Sequence, residues 1–146
     1  SVAGKMDNRV IAAYQQLGFK LVVDPSVNYS GYFDARSRSI TMKQIDDSVY
    51  HELGHFLAFI AGNVDKTASF QSIFAAEKAN VTAFNKAYVT QNASEYFAES
   101  VKDYILNNAS LKSSRPQTYA AVQNALNQIT DAQIAKIQKI YGAFWN

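Results

Sequence analysis

The sequence predicts a small α+β domain whose sheet comes early and whose helices come late. Three observations carry that expectation. The runs rich in β-branched and aromatic residues, "FKLVV" and "GYFDARSRSITM", both end before residue 43. From Lys43 onward no run reads as a strand, and apolar residues recur at helical spacing instead. The 146 residues can bury one core without metal or disulfide staples, and they contain no repeat and no low-complexity segment. The chain therefore reads as one domain, 1–146.

Taken in order, residues 2–17 read as a short N-terminal helix. Val10, Ala13, Tyr14 and Leu17 fall on one face, and Gly18 supplies the stop. Residues 19–23 form a strand closed by Asp24-Pro25. "GYFDARSRSITM" reads as two short strands paired as a hairpin around residues 35–37. Helices are predicted over 44–61, 66–79, 93–107, 115–128 and 131–143. Ser114 with Gln117, and Thr130 with Gln133, have capping-box spacing. "NNASLKSSRP" reads as a polar connection.

Composition narrows the function classes. Fourteen basic and twelve acidic residues give a net charge of +2, with no run of Lys or Arg. That argues against nucleic acid and against polybasic docking on membranes. No apolar stretch approaches the ~18 residues of a membrane span. With no cysteine, there is neither a disulfide nor a thiolate metal ligand.

The chemistry concentrates in "VYHELGHFLAFIAG". His51 and His55 are the only two histidines of the chain. On a helix turning about 100° per residue they lie about 40° apart and ~6 Å apart along the axis. Val49, Leu53, Phe56, Leu57 and Ile60 cluster on the opposite side as the core stripe. Gly54, Ala58 and Ala61 make a seam where another element can approach closely. Histidines are often satisfied structural residues. Here the whole histidine supply sits in one His-Glu-x-x-His pattern, away from the core stripe. Two imidazoles at i and i+4 converge on one point and suit tetrahedral Zn²⁺. Glu52, on the flank, reaches a water rather than the ion and can take its proton.

A third ligand has to be a carboxylate or, less readily, a tyrosine. The helix "SEYFAESVKDYIL" stacks Glu95, Glu99 and Asp103 four apart, whereas Asp65, Glu77 and Asp131 stand singly. Structural readings compete. Asn92 and Glu95 could form a capping box, and Glu99 and Asp103 a solvated face pairing with Lys102 or Lys112. Spacing does not choose between Glu95 and Glu99.

"HELGH", followed some forty residues later by "YVTQNASEYFAES", resembles the zinc-peptidase domain of anthrax lethal factor and its relatives. Those relatives include the small secreted Pro-Pro endopeptidases of clostridia. The likeness continues through "DKTASFQSIFAAE" and "RPQTYAAVQN" and spans about residues 49–124. It implies a zincin-like fold and one zinc per chain, with Glu95 as third ligand beside His51 and His55. It further implies that Glu99 steadies a histidine and that Tyr88, seven residues before Glu95, aids the transition state. The Pro-Pro endopeptidases carry a long segment before this helix, with a substrate-covering loop that bears a tryptophan. Here the single Trp is Trp145, and the hairpin runs almost directly into Lys43. What the resemblance implies is therefore the chemistry rather than the substrate.

The expectation is a secreted zinc endopeptidase with Glu52 as general base, Tyr88 as oxyanion donor and a peptide or protein as substrate. Residues 38–43 are the expected edge strand over the cleft, although "GYFD" could equally occupy that edge. A zincin-shaped binding module without turnover, or a helical interaction domain stapled by zinc, are the alternatives. Glu52 and Tyr88 favour the enzyme, since a structural site needs neither.

Overall fold

The structure, a computed structural model, describes residues 2–145. Its elements are α1 (Asn8–Gln16), β1 (Lys20–Val23), β2 (Gly31–Asp34), β3 (Ser39–Met42), α2 (Ser48–Ile60), α3 (Ala68–Glu77), α4 (Lys86–Val89), α5 (Ala93–Leu106), α6 (Asn108–Ser114), α7 (Pro116–Asn127) and α8 (Asp131–Trp145). The predicted α+β class holds, with one small sheet early and helices after it.

α1 begins six residues later than the sequence reading placed it. Asp7 has non-helical backbone (ψ 132°) and its side chain accepts the Arg9 N–H at 2.8 Å, so the first turn is capped there. Gly18, at φ 79°, ends the helix as expected. Val10, Ala13 and Leu17 are buried beneath it.

The sheet corrects one expectation. Strand order is β1-β3-β2, with β1 parallel and β2 antiparallel to β3. Ser39–Met42 is therefore the central strand, and β2 is the edge. Carbonyls of Arg38 and Met42 accept from Lys20 and Asp24 on one side, while Lys43 N–H donates to Ser30 on the other. The backbone alternation then turns the N–H and C=O groups of Gly31 and Phe33 outward from β2.

α2 is buried round nearly its whole circumference. The predicted stripe of Val49, Leu53, Phe56, Leu57 and Ile60 is buried, and so are His51 and Glu52, while His55 is half-buried. One side of α2 lies under the sheet. Phe56 meets Phe19 edge-on at 4.9 Å between ring centroids, with Phe33 alongside at 6.2 Å. Another side packs on α5, its most extensive helical contact. The small-residue seam explains how closely. A Cβ on Gly54 would stand 2.7 Å from both Cα and O of Ala98, so the two backbones nearly touch. Trp145 closes the far end, donating from Nε1 to the Ala35 carbonyl at 3.0 Å and packing edge-on against Phe19.

The helical half differs from the reading in four places. "NNASLKSSRP" contains a helix, α6, because buried Leu111 anchors it. α4 is a single short turn that periodicity does not reveal. Ser114 does not cap α7, since its hydroxyl donates back to Ser110. The cap comes from α3 instead, where buried Glu77 accepts the Gln117 and Thr118 N–H groups at 3.0 and 2.7 Å. Thr130 does cap α8, accepting from Gln133 N–H at 3.1 Å. The Gln133 side chain, however, reaches Ile60 O rather than closing a capping box.

Candidate metal centre

The site lies in the angle between α5 and the β2 edge, where α2 turns its His51–His55 face. α5 is aligned so that Glu95 reaches both imidazoles. Its Oε2 lies 3.3 Å from His51 Nε2 and its Oε1 lies 3.1 Å from His55 Nε2. One ligand atom from each of the three side chains falls within 4.8 Å of the others, and no other such group of His, Asp and Glu occurs among the described residues. The donors suit a metal ion. Two ligands held about 2.1 Å from one tetrahedral ion stand about 3.4 Å apart, close to the spacings found. Three protein donors leave a fourth position open.

Both readings of Glu95 meet in the structure. Asn92 Oδ1 caps α5 by accepting the Glu95 N–H at 2.8 Å, while the Glu95 side chain turns to the histidines. The cap fixes the first turn of α5 and thereby the direction in which Glu95 leaves it. Glu99, one turn on, is no solvated surface acid: its Oε1 lies 2.8 Å from His51 Nδ1. In the neutral imidazole, an Nδ1–H donated to that carboxylate leaves the Nε2 lone pair facing the centre, the form in which the ring can hold a metal. Asp103 also departs from the solvated-face reading and pairs with Arg115.

Charges follow from this crowding. Burial alone would lower the His51 pKa, but hydrogen bonds to Glu95 and Glu99 outweigh it and raise the value to about 9. Burial would raise Glu95, yet the two histidines hold it at about 2. Glu52 goes the other way. Burial is the largest influence, and its pKa is raised despite the pull of both histidines. It is the one carboxylate of the site whose affinity for a proton is increased.

Glu52 and Tyr88 line the same cleft of about 380 Å³, together with His51, Glu99, Tyr29 and Gly31. Tyr88 sits on α4 and is 58% exposed. Burial and the neighbouring Glu95, Glu52 and Glu99 charges raise its pKa, keeping the phenol protonated. The cleft continues past Lys102 and Asn85 into a second hollow of about 580 Å³ toward α6. Of the six residues singled out from the sequence, His51, Glu52, Tyr88 and Glu99 line this cleft, and Glu95 adjoins it through His51 and carries the contact on to His55.

Three contributors escaped the sequence reading. Glu77, taken as a lone acid, accepts the Thr118 hydroxyl at 2.7 Å, and Thr118 in turn pairs with Tyr96 at 2.6 Å. With its own proton committed to Glu77, Thr118 receives that of Tyr96. Arg115 donates to Ser100 Oγ at 3.1 Å while holding Asp103. These bonds clamp α5 from behind its ligand face. Gly31 is the third, and a glycine inside a strand pattern was its only sequence signal.

A Pro-Pro endopeptidase of Clostridioides difficile (strain 630) is 41% identical over 78 residues, which cover 51% of this chain and 34% of that relative. The chain thus spans about a third of that protein's length. Residues 19–125 match the family described as "Anthrax toxin lethal factor, N- and C-terminal domain". That match runs from β1 through most of α7 and takes in the sheet edge, both ligand helices and the cleft between them, so the chain belongs to the lethal factor N- and C-terminal domain family.

Proposed function

We propose that this domain is a zinc-dependent endopeptidase. The observation that carries the reading is the convergence of His51, His55 and Glu95 beside a buried Glu52 of raised proton affinity in an open cleft. Those three residues would hold a zinc ion, whose Lewis acidity would make water a stronger acid and a peptide carbonyl a better electrophile. Glu52 accepts the proton of the attacking water and returns it to the leaving amine. Tyr88 donates its hydroxyl hydrogen to the carbonyl oxygen as charge builds there. Glu99 holds His51 in the tautomer that offers Nε2. The outward N–H and C=O groups of Gly31 give an extended peptide a point of pairing on the β2 edge, while the Phe33 N–H is turned to Glu52.

The substrate in this reading is a peptide or protein. Secretion belongs to it as well, on the family resemblance. A Pro-Pro preference is not carried over, because Trp145 is occupied in packing against Phe19 and Phe59 and in donating to the Ala35 carbonyl, and does not line the cleft. A zinc staple would be closed by a fourth protein ligand, and none converges among the described residues.

The test is a diverse peptide library incubated with the protein, with and without a chelator, with products read by mass spectrometry. Cleavage at defined bonds that stops with chelator and returns with zinc is expected. No cleavage, or cleavage indifferent to the chelator, would overturn the reading.

A further inference from the structure

Gly31 occupies the first position of β2, on the edge that faces the cleft. A glycine weakens a strand, by roughly 0.5–1 kcal/mol relative to alanine in ordinary contexts. Its backbone does not require one, since positive φ among the glycines is confined to Gly18 and Gly62. What is special is the space over it. A Cβ on Gly31 would stand 2.9 Å from Cγ and 3.0 Å from Oε2 of Glu52, and 3.0 Å from the sulfur of Met42. Glu52 is 7% exposed and Met42 fully buried, so the carboxylate lies in a slot between the strand and the core.

Gly54 is the instructive contrast. Its missing Cβ would meet the backbone of Ala98, which cannot yield without separating two helices. At Gly31 the neighbours are side-chain atoms, which can yield. Carbon atoms settle about 3.5–4.0 Å apart, so a methyl group at position 31 would push the Glu52 carboxylate by somewhat under or about an ångström. The fold would tolerate that shift, whereas a proton transfer would not.

We infer that Gly31 is a positioning residue for Glu52: its absent side chain is the notch that sets where the general base sits. This rests on the endopeptidase reading for its catalytic consequence, though the notch itself is a matter of packing. Misplacing a reacting group by about an ångström costs about 10²-fold in rate.

Gly31→Ala should therefore lower kcat by about that factor, with KM, zinc content and thermal midpoint close to wild type. The same substitution in a Glu52→Gln background should change the residual rate less than about twofold, because the group it acts through is already gone. Independently of turnover, the carboxyl ¹³C resonance of Glu52, assigned by its loss in Glu52→Gln, should move in Gly31→Ala. Wild-type kcat in Gly31→Ala, an equal loss in both backgrounds, or an unmoved Glu52 resonance would overturn the inference. A wild-type protein that cleaves nothing would instead count against the endopeptidase reading, and the resonance would still decide the role of Gly31.

Discussion

The two walls of the cleft are built differently. On the α2–α5 wall the groups hold one another: His51 is held by Glu95 and Glu99, His55 by Glu95, and Glu95 by two histidines through its side chain and by Asn92 through its backbone. The helices beneath are locked by the Gly54–Ala98 approach and by the network behind α5. The opposite rim is loose by comparison. Tyr88 stands on a single-turn helix, and Tyr29, Tyr32 and Phe84 are exposed around it. A metal site needs donors fixed to tenths of an ångström, and only buried, doubly bonded side chains achieve that. A rim that has to admit a polypeptide cannot be packed shut. Glu52 belongs to both walls, rooted on the rigid helix and seated against the sheet edge.

The largest effects should come from the rigid wall. His51→Ala or His55→Ala should abolish stoichiometric zinc binding and all activity, because two remaining donors hold the ion poorly. Glu95→Ala should do the same. Glu99→Ala should keep zinc and weaken its affinity by about 10–100-fold, the usual consequence of losing a partner behind a ligand histidine. Elemental analysis with a competing chelator separates these outcomes. If Glu99→Ala stripped the ion while Glu95→Ala retained it, the ligand assignment would be reversed.

Next comes the residue shared by both walls. Glu52→Gln should bind zinc at full stoichiometry yet lose about 10²–10⁴-fold in kcat, as removal of a general base does. Zinc loss in that variant would mean Glu52 belongs with the ligands.

How much of this was legible in the sequence follows the same division. His51, Glu52 and His55 declared themselves because helical spacing is set by covalent geometry, and the α+β order followed from where β-branched runs stop. Glu95 and Glu99 could not be separated by spacing, since both lie on one face of α5. Only the packing of α5 on α2 decides that Glu95 meets the Nε2 atoms of both imidazoles while Glu99 meets Nδ1 of His51. The edge over the cleft stayed open between residues 38–43 and "GYFD" for a related reason, and the sheet gives it to "GYFD". A hairpin fixes β2 beside β3 locally, but the parallel pairing of β1 to the other edge of β3 is a long-range choice with no sequence signal. The Glu77 cap on α7 joins residues forty and forty-one apart, whereas Ser114 merely had the right local spacing.

The rim supplies the next prediction. Tyr88 is not needed to hold an ion, and its hydroxyl matters only once the carbonyl oxygen carries charge. Tyr88→Phe should fold and bind zinc normally, with KM little changed and kcat lower by about 10²–10³, or about 2.7–4 kcal/mol. Wild-type kcat in that variant would leave the rim without a chemical role.

The smallest effect probes the support behind the rigid wall. Glu77 is 5% exposed, and three groups of α7 donate to it: the N–H groups of Gln117 and Thr118 and the Thr118 hydroxyl. Glu77→Ala would leave helix-terminal N–H groups without an acceptor in a buried place, at a cost of about 1–3 kcal/mol. The proton of Thr118 would then be released to seek another acceptor, loosening its bond with Tyr96, the residue next to Glu95. Stability measured by denaturant titration should fall by that amount, and Glu77→Gln, whose amide oxygen can still accept, should fall less. Activity of the zinc-loaded protein well below its unfolding midpoint should stay within about twofold, because α2 and Asn92 still fix Glu95 from the front. A drop in kcat with no change in stability would show the opposite arrangement, in which the network behind α5 tunes the ligand geometry itself and the rigid wall owes its precision to α7.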